Sequence, residues 1–172
     1  DKIRLRMLTH DAVKYKVPFI YVNQVGGNDD LVFDGNSTVI NAQGLLIAQA
    51  AAFEEDLMIV DLENPAVHVS PRSCDPVETI HKALLVGLQD YVKKCGFKKV
   101  VIGLSGGIDS AVTAALAVQS LGNDNVVGVL MPSQFSSQGS IDDAVKLARN
   151  LEIAHKIIPI KDVFETYQNT LK

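Results

Sequence analysis

Short apolar runs, separated by turn-forming residues, dominate the chain before Pro76. A helical spacing precedes them and ends before Pro18, and its apolar positions are Leu5, Leu8, Ala12 and Val13. Gly, Asn and Asp cluster at three predicted turns: 26–29, 34–36 and 41–44. Four apolar runs are predicted strands: 19–22 before these turns, 37–40 between them, and 45–50 and 57–60 after them. The pattern therefore predicts a helix followed by a β-rich meander.

After Pro76 a helical period alternates with apolar runs too short for helices. The predicted helices are 78–95, 108–121, a segment from Ser140 and 162–172, and Ser140 with Asp143 resembles a capping box. The predicted strands between them are 100–104, 126–131 and 157–160. Connections of this length between strands force parallel pairing with right-handed crossovers. The predicted fold class is therefore α/β, with a doubly wound parallel sheet in this part.

Composition and charge exclude several classes of function. Sixteen basic and 20 acidic residues give a net charge of −4, which argues against binding nucleic acid by bulk charge. No run approaches the ~18 apolar residues of a membrane span, and the first residues, 1–4, lack the apolar core of a signal peptide. Cys74 and Cys95 lack the spacing of a disulfide framework or a metal site. We therefore expect a cytoplasmic protein with free thiols that binds neither nucleic acid nor membranes.

A proline-bearing stretch divides the chain. Three of its six prolines, Pro65, Pro71 and Pro76, fall between residues 63 and 76, where no apolar period is sustained. We therefore predict two domains, 1–62 and 77–172, joined by a linker at 63–76.

The loop after the strand at 100–104 has the residues expected of a phosphate site. Gly106 and Gly107 permit close backbone approach, and the following helix start offers unpaired amides. Ser105 and Ser110 add hydroxyl donors. Asp109 would repel phosphate unless a divalent cation such as Mg²⁺ lay between them. A Walker loop is excluded because no Gly-Lys dipeptide occurs. The loop thus predicts a Mg-nucleotide site, and the alternative is a glycine-rich corner without a ligand.

The segment Ser105–Ser110 matches the SGGxDS signature of the PP-loop ATP pyrophosphatases. The surrounding residues 88–110 and 131–133 resemble the NAD synthetase branch of that family. Upstream, Tyr21–Gly27 and Phe33–Gly35 resemble the late part of a nitrilase-type glutaminase domain, an α-β-β-α sandwich. The combination resembles the glutamine-dependent NAD synthetases, and the chain resembles a fragment spanning the junction of the two domains.

This resemblance implies a ligase that adenylates the nicotinate carboxylate of deamido-NAD and then amidates it with ammonia from glutamine. It implies ATP and Mg²⁺ as cofactors, deamido-NAD and glutamine or ammonia as partners, and a homo-oligomer for the full-length protein. By similarity, Asp109 is the metal ligand. The residues expected to bind the nucleotide are Gly103, Leu104, Ser105, Gly106, Gly107, Ile108, Asp109, Ser110 and Met131. Met131 is expected near the adenine, with core packing as the alternative.

The resemblance assigns no catalytic side chain to this chain. The family's glutaminase triad of Glu, Lys and Cys has its cysteine upstream of the matched run, and Cys74 is expected to be an inert linker thiol. The second metal-binding carboxylate of the family also lies outside this sequence. Two other functions stay open: a different PP-loop enzyme that amidates or thiolates a nucleotide, and nucleotide binding without catalysis. The serine-rich loop 133–140 is a candidate substrate lid.

Overall fold

A computed structural model of the chain describes residues 2–63, 69–71 and 75–171. Cys74 and most of the predicted linker lie outside these residues. The chain divides into two compact units, residues 1–87 and 88–172. No helix in the described ranges is both long and apolar enough to cross a membrane.

The first unit joins one helix to short antiparallel strands. Its elements, in chain order, are α1 Lys2–Tyr15, β1 Phe19–Tyr21, β2 Val25–Asn28, β3 Leu31–Asp34, β4 Thr38–Ile40, β5 Leu46–Gln49 and the start of α2 Pro76–Lys94. Strands β1, β4 and β5 form one sheet in that order, and β2 pairs with β3 as a hairpin. Ala12 of α1 packs against Ile40 and Leu46, all of them buried. The apolar face of the helix therefore covers one face of this sheet.

Most of the predicted elements of this unit are confirmed. The helix and the strands at 19–22, 37–40 and 45–50 occur with shorter bounds. The turn at 34–36 holds Gly35 and Asn36 at φ 66° and 53°, and Gly44 ends the next turn at φ 81°. Gly and Asn tolerate this left-handed backbone better than other residues, which explains why the turn residues could be identified.

Two predictions in this unit are wrong. The loop at 26–29 is instead the end of β2, in which Gly26 and Gly27 are buried, and the chain turns at Asp29 with φ 57°. The run 57–60 is not a strand. Its residues still alternate, because Met58 and Val60 pack against buried Val39, Ile47 and Ala48 while the side chains between them face solvent. The alternation thus reflects packing on a sheet rather than membership in it.

A polar network ties α1 to the turn after β3. Arg4 donates two hydrogen bonds to the Asp34 carboxylate, at 3.4 and 3.1 Å, and its guanidinium lies 4.9 Å from the centre of the Tyr21 ring. The side-chain amides of Asn23 and Asn36 also donate to Asp34, at 2.7 and 3.0 Å. Burial alone would raise the pKa of Asp34, but the bonds from Asn36 and Arg4 and the charge of Arg4 hold this pKa below its ordinary value.

The second unit is a parallel α/β sheet. After the end of α2 its elements are β6 Val100–Gly103, α3 Ile108–Leu121, a 3₁₀ turn Asn123–Asn125, β7 Val126–Leu130, α4 Gln138–Asn150, β8 Ala154–Ile157 and α5 Lys161–Thr170. The strands are parallel in the order β6-β7-β8. This confirms the predicted alternation of strands and helices and their parallel pairing.

Small residues bring the helices close to the sheet in the second unit. Ala114 and Ala117 of α3 and Ala144 and Ala148 of α4 are buried in the core. On the sheet, a Cβ added to Gly128 would lie 2.6 Å from Leu104 Cδ1. Gly128 therefore makes room for the Leu104 side chain, which anchors the chain where β6 leads into the following loop.

The bounds of α3 and the left-handed Gly96 after α2 (φ 75°) agree with the prediction. Two boundaries elsewhere are wrong. The N-cap of α4 is Ser137, whose hydroxyl accepts from the Ser140 amide at 3.1 Å, so the predicted capping box lies inside the helix. Strand β8 shares only Ile157 with the predicted strand at 157–160, because an edge strand with exposed polar positions lacks a continuous apolar signal.

Candidate functional site

The loop between β6 and α3 lies at the carboxyl edge of the parallel sheet, where ligands of such sheets bind. Leu104 holds its first residue in place, because its side chain is buried and its amide donates to Val129 O of β7 at 2.9 Å. From there the exposed backbone turns sharply through Ser105, Gly106 and Gly107 into α3. The core thus fixes one end of the loop and the helix fixes the other.

Position 106 requires glycine for two reasons: its backbone conformation and the lack of space around it. Its φ is 79°, a region that L side chains rarely adopt. A Cβ at this position would lie 2.3 Å from the backbone oxygen of Ser140 and 2.8 Å from its Cα. The first turn of α4 therefore rests directly on the loop, with no space for a side chain between them.

The hydroxyls of two serines, Ser105 and Ser110, make hydrogen bonds that connect the start of the loop to the start of α3. Ser110 Oγ donates to Gly107 O at 3.0 Å and accepts from the Ser105 amide at 3.3 Å. The hydroxyls of Ser105 and Ser110 lie 3.1 Å apart, and Ser105 Oγ accepts from the Gly107 amide at 3.2 Å. The two ends of the predicted motif are thus joined through side chains.

The start of α3 offers unpaired backbone donors. Gly107 is its N-cap and supplies no side-chain acceptor. Among the described residues, the first backbone bond into the helix is donated by Ala111, to Gly107 O at 3.2 Å. The amides of Ile108, Asp109 and Ser110 therefore point out of the helix end without an acceptor in that part of the chain. Together with the positive end of the helix dipole, they suit an anion.

Asp109 lies in the first turn of α3 with its side chain exposed. Its backbone oxygen accepts from Thr113 Oγ1 at 2.8 Å, so this contact with Thr113 does not involve the carboxylate. The described residues contain no cluster of three or more His, Cys, Asp or Glu able to hold a metal on their own. A single carboxylate beside a phosphate site nevertheless fits Mg²⁺, which commonly takes one or two carboxylates together with substrate phosphates and water.

A cavity of about 270 Å³ opens beside the loop. It is lined by residues at the ends of two neighbouring strands, in the loops after them and in the first turn of α4: Gly103, Leu104, Ser105, Leu130, Met131, Pro132, Ser136, Ser140 and Ile141. Four predicted site residues therefore border this cavity, whereas residues 106–110 do not line it. Met131 is 52% exposed, which disagrees with the alternative of core packing.

Sequence reasoning missed the contribution of α4 to this cavity. Ile141 lines it from the first turn of the helix, together with Ser140, which the sequence analysis includes in the candidate lid at 133–140. That loop is folded on itself: the Ser133 amide donates to Ser136 Oγ at 3.0 Å, and the Phe135 amide donates to Ser133 Oγ at 3.2 Å. The density of serines is the signal that pointed to this segment.

Two family models match the chain in the predicted order. Residues 80–172 match the model described as NAD synthase, and residues 4–69 match the model described as carbon-nitrogen hydrolase. Together they cover nearly all of the sequence, and they agree with the expected order of a glutaminase-like part followed by a synthetase part.

Among the relatives are two named glutamine-dependent NAD(+) synthetases. The protein from Synechocystis is 46% identical over 174 residues, which cover 98% of this chain and 31% of that protein. The protein from Thermotoga maritima is 44% identical over 206 residues, which cover 99% of this chain and 36% of that protein. This chain thus spans about a third of the length of these relatives.

A solved structure shares the fold over almost the whole chain. It is the glutamine-dependent NAD+ synthetase from Acinetobacter baumannii in complex with adenosine diphosphate. Its TM-score is 0.90 at 38% identity, with 99% of this chain and 33% of that chain covered. The fold class expected from the sequence is thereby confirmed.

Proposed function

Because the chain belongs to the NAD synthase family, we propose that its second unit supplies the ATP-binding loop of a glutamine-dependent NAD synthetase. The reaction is the ATP-dependent amidation of deamido-NAD to NAD through an adenylated intermediate. The observation that carries this proposal is the set of three unpaired amides at the start of α3 beside the Asp109 carboxylate. The adenosine diphosphate named in the related Acinetobacter structure supports an adenine nucleotide as the ligand.

The geometry suggests how these residues act on the triphosphate. Preorganised amides stabilise negative charge without reorienting, so those of residues 108–110 favour the charge that develops on the departing pyrophosphate. Bound Mg²⁺ would neutralise phosphate charge, and Asp109 is the carboxylate that would hold it. Gly103, Leu104, Ser105, Gly106 and Gly107 form the path that brings the phosphates to the helix end.

The cavity beside the loop provides the place for the base. Met131 lies at the end of β7, and a Cβ on Gly103 would lie 3.6 Å from its Cε atom, so the thioether borders the same opening. An adenine there would lie against the Met131 side chain, while main-chain groups at the end of β7 would meet the edge of the base. The proposal thus gives Met131 a packing role toward the nucleotide.

The remaining parts of the proposal concern the whole protein. We infer that residues 1–62 belong to a glutaminase-like domain that supplies ammonia from glutamine, that 63–76 is a linker and that 77–172 belong to the synthetase domain. None of the described side chains is assigned to the chemistry of glutamine hydrolysis. A cytoplasmic homo-oligomer that binds no nucleic acid is the expected state.

Binding measurements with the chain test the nucleotide site directly. Isothermal titration of ATP, with and without Mg²⁺, should show an affinity for Mg-ATP that falls about tenfold in Asp109→Asn, since a tenfold loss corresponds to ~1.4 kcal/mol. Affinity for ATP without Mg²⁺ should fall less or rise, because a phosphate-repelling charge has been removed. Asp124→Asn, in the 3₁₀ turn after α3, removes the same charge outside the loop and serves as the control.

Activity separates binding from catalysis. The chain is mixed with Mg-ATP, deamido-NAD and ammonium, and release of pyrophosphate is measured. Release that requires deamido-NAD supports the synthetase proposal. Binding of Mg-ATP without release supports a nucleotide-binding fragment, and no binding of Mg-ATP contradicts the proposed site.

A further inference from the structure

The serine-rich loop beside the cavity also carries an aromatic side chain, that of Phe135. This side chain is 78% exposed, and its ring meets the ring of Phe164 from α5, with the ring centres 5.8 Å apart and the ring planes at 88°. Neither ring belongs to the core cluster that the described residues of this unit form. An edge-to-face pair of this geometry is attractive beyond the apolar area that it buries. The pair therefore connects the loop to α5 by a contact that lies outside the core.

The start of α5 holds the same loop at a second point. The Ile160 amide donates to Pro132 O at 3.0 Å, and Ile160 is the N-cap of α5. Phe164 lies one turn further along, where its amide donates to Ile160 O at 3.0 Å. The backbone bond thus holds the chain where the loop begins, and the Phe164 ring meets the loop three residues later, at Phe135. The first turn of α5 therefore supports the loop through two separate contacts.

Hydrogen bonds within the loop make residues 133–136 a compact turn. The Ser136 amide donates to Ser133 O at 3.1 Å, and the Ser133 amide donates to Ser136 Oγ at 3.0 Å. The Phe135 amide adds a bond to Ser133 Oγ at 3.2 Å. Because these bonds tie the turn together, a displacement of Phe135 also displaces Ser136, which lines the cavity. The position of the Phe135 ring is therefore coupled to the position of a cavity wall.

We propose that Phe164 is a positioning residue for the nucleotide, which acts through Phe135 and holds the turn 133–136 in place as a wall of the cavity. The inference rests on the proposed function, since it takes the cavity to be the site of the base. The proposed phosphate site uses the loop 105–110, to which this turn contributes no residue. Loss of the ring pair should therefore weaken binding of the adenosine end of ATP and leave binding of the phosphate end unchanged.

Titration of the chain with AMP, Mg-ATP and inorganic pyrophosphate separates the two ends of the nucleotide. Phe164→Ala and Phe135→Ala should each weaken binding of AMP and Mg-ATP roughly two- to tenfold, the range that corresponds to the strength of one aromatic pair. Pyrophosphate affinity should stay unchanged in both variants. The double variant should bind AMP no more weakly than the worse single variant, because the effects of two residues in contact do not add.

Two further variants separate the ring contact from general effects of substitution on α5. Phe164→Tyr retains a ring and should bind AMP within about twofold of the unmodified chain. Tyr167→Ala removes an exposed ring from the same helix, outside the pair, and should leave all three affinities unchanged. Should Phe164→Ala prevent folding, Phe164→Leu keeps an apolar side chain without a ring and is expected to show the same loss of AMP affinity.

Nuclear Overhauser contacts between the two Phe rings test the ring pair without ligand, and their absence from the unliganded chain would overturn the inference. So would an unchanged AMP affinity in Phe164→Ala, or a loss of pyrophosphate affinity as large as the loss of AMP affinity. A loss in Phe135→Ala alone would mean that Phe135 contacts the nucleotide directly, which also contradicts the role of Phe164. If the unmodified chain does not bind Mg-ATP, the proposed function fails. If it binds Mg-ATP and Phe164→Ala behaves like Tyr167→Ala, only the role of Phe164 fails.

Discussion

Replacing Gly106 by alanine tests the contact between the loop and α4. An alanine in the left-handed conformation costs about 1–2 kcal/mol. The added Cβ would also lie 2.3 Å from Ser140 O, so the backbone of one segment must move by about 1 Å. Overpacking of this kind costs about 1–3 kcal/mol. We therefore expect Gly106→Ala to destabilise the second unit by roughly 2–5 kcal/mol.

Gly96 provides a control that separates strain from overlap. It has nearly the same φ, 75°, and a Cβ there would meet nothing within 4 Å. Gly96→Ala should therefore destabilise the protein by only about 1 kcal/mol, from the strain of an alanine in the left-handed conformation. Gly107→Ala is the complementary control inside the loop, because Gly107 is extended at φ −92° and the nearest atom to an added Cβ would be the side-chain oxygen Ser105 Oγ at 3.3 Å.

Hydrogen exchange followed by mass spectrometry is the suitable assay, because a chain with two units need not unfold in one step. Exchange of α4 amides should accelerate by a factor of about 30 or more in Gly106→Ala and about fivefold in Gly96→Ala, at tenfold per 1.4 kcal/mol. Mg-ATP affinity should fall in Gly106→Ala and stay unchanged in Gly96→Ala. If Gly106→Ala and Gly96→Ala behave alike, the contact with Ser140 is not tight and the reasoning is refuted.

Three further changes test other parts of the molecule. Ser137→Ala removes the cap of α4 and should cost about 1 kcal/mol, read as faster exchange at the start of that helix, whereas equal exchange would contradict the cap. Leu130→Ala, in the core of the second unit, should cost about 2–5 kcal/mol in chemical unfolding, and a loss below 1 kcal/mol would contradict the burial. Asp34→Asn should destabilise the first unit by about 1–2 kcal/mol near pH 7. Because the folded pKa of Asp34 lies below its unfolded value, the stabilisation by the carboxylate is lost as the pH falls below about 4, so thermal unfolding of the two proteins should converge there.

Elements with a strong period could be predicted from the sequence, and α3 is the clearest case. Its alanines recur on one face, and glycines mark its two ends, so both bounds agree with the structure. The hairpin at Gly26 and Gly27 could not be predicted in the same way. Consecutive glycines usually indicate a loop, but here they are buried within β2 and pair with β3, and both the burial and the pairing depend on the tertiary structure.

In the candidate site, too, some features could be predicted from the sequence and others depend on the tertiary structure. Six consecutive residues identified the loop, because glycine, serine and aspartate each have a distinct chemical reason to occur there. The sequence did not indicate that Ser140, thirty-four positions after Gly106, would cover the bend, since no local pattern encodes that approach. Nor did it indicate that Ser110 would bond to Ser105 and Gly107, because composition alone does not determine hydroxyl direction.

The close packing of the Ser140 backbone against Gly106 has a consequence for transplanting the motif into another protein. A graft made only of β6, the loop and α3 would include every residue of the signature but would omit the Ser140 backbone that packs against Gly106. The smallest portable piece therefore extends through β7 and the first turn of α4. The conformation of the six-residue signature therefore depends on a residue outside it, and the six residues alone do not specify that conformation.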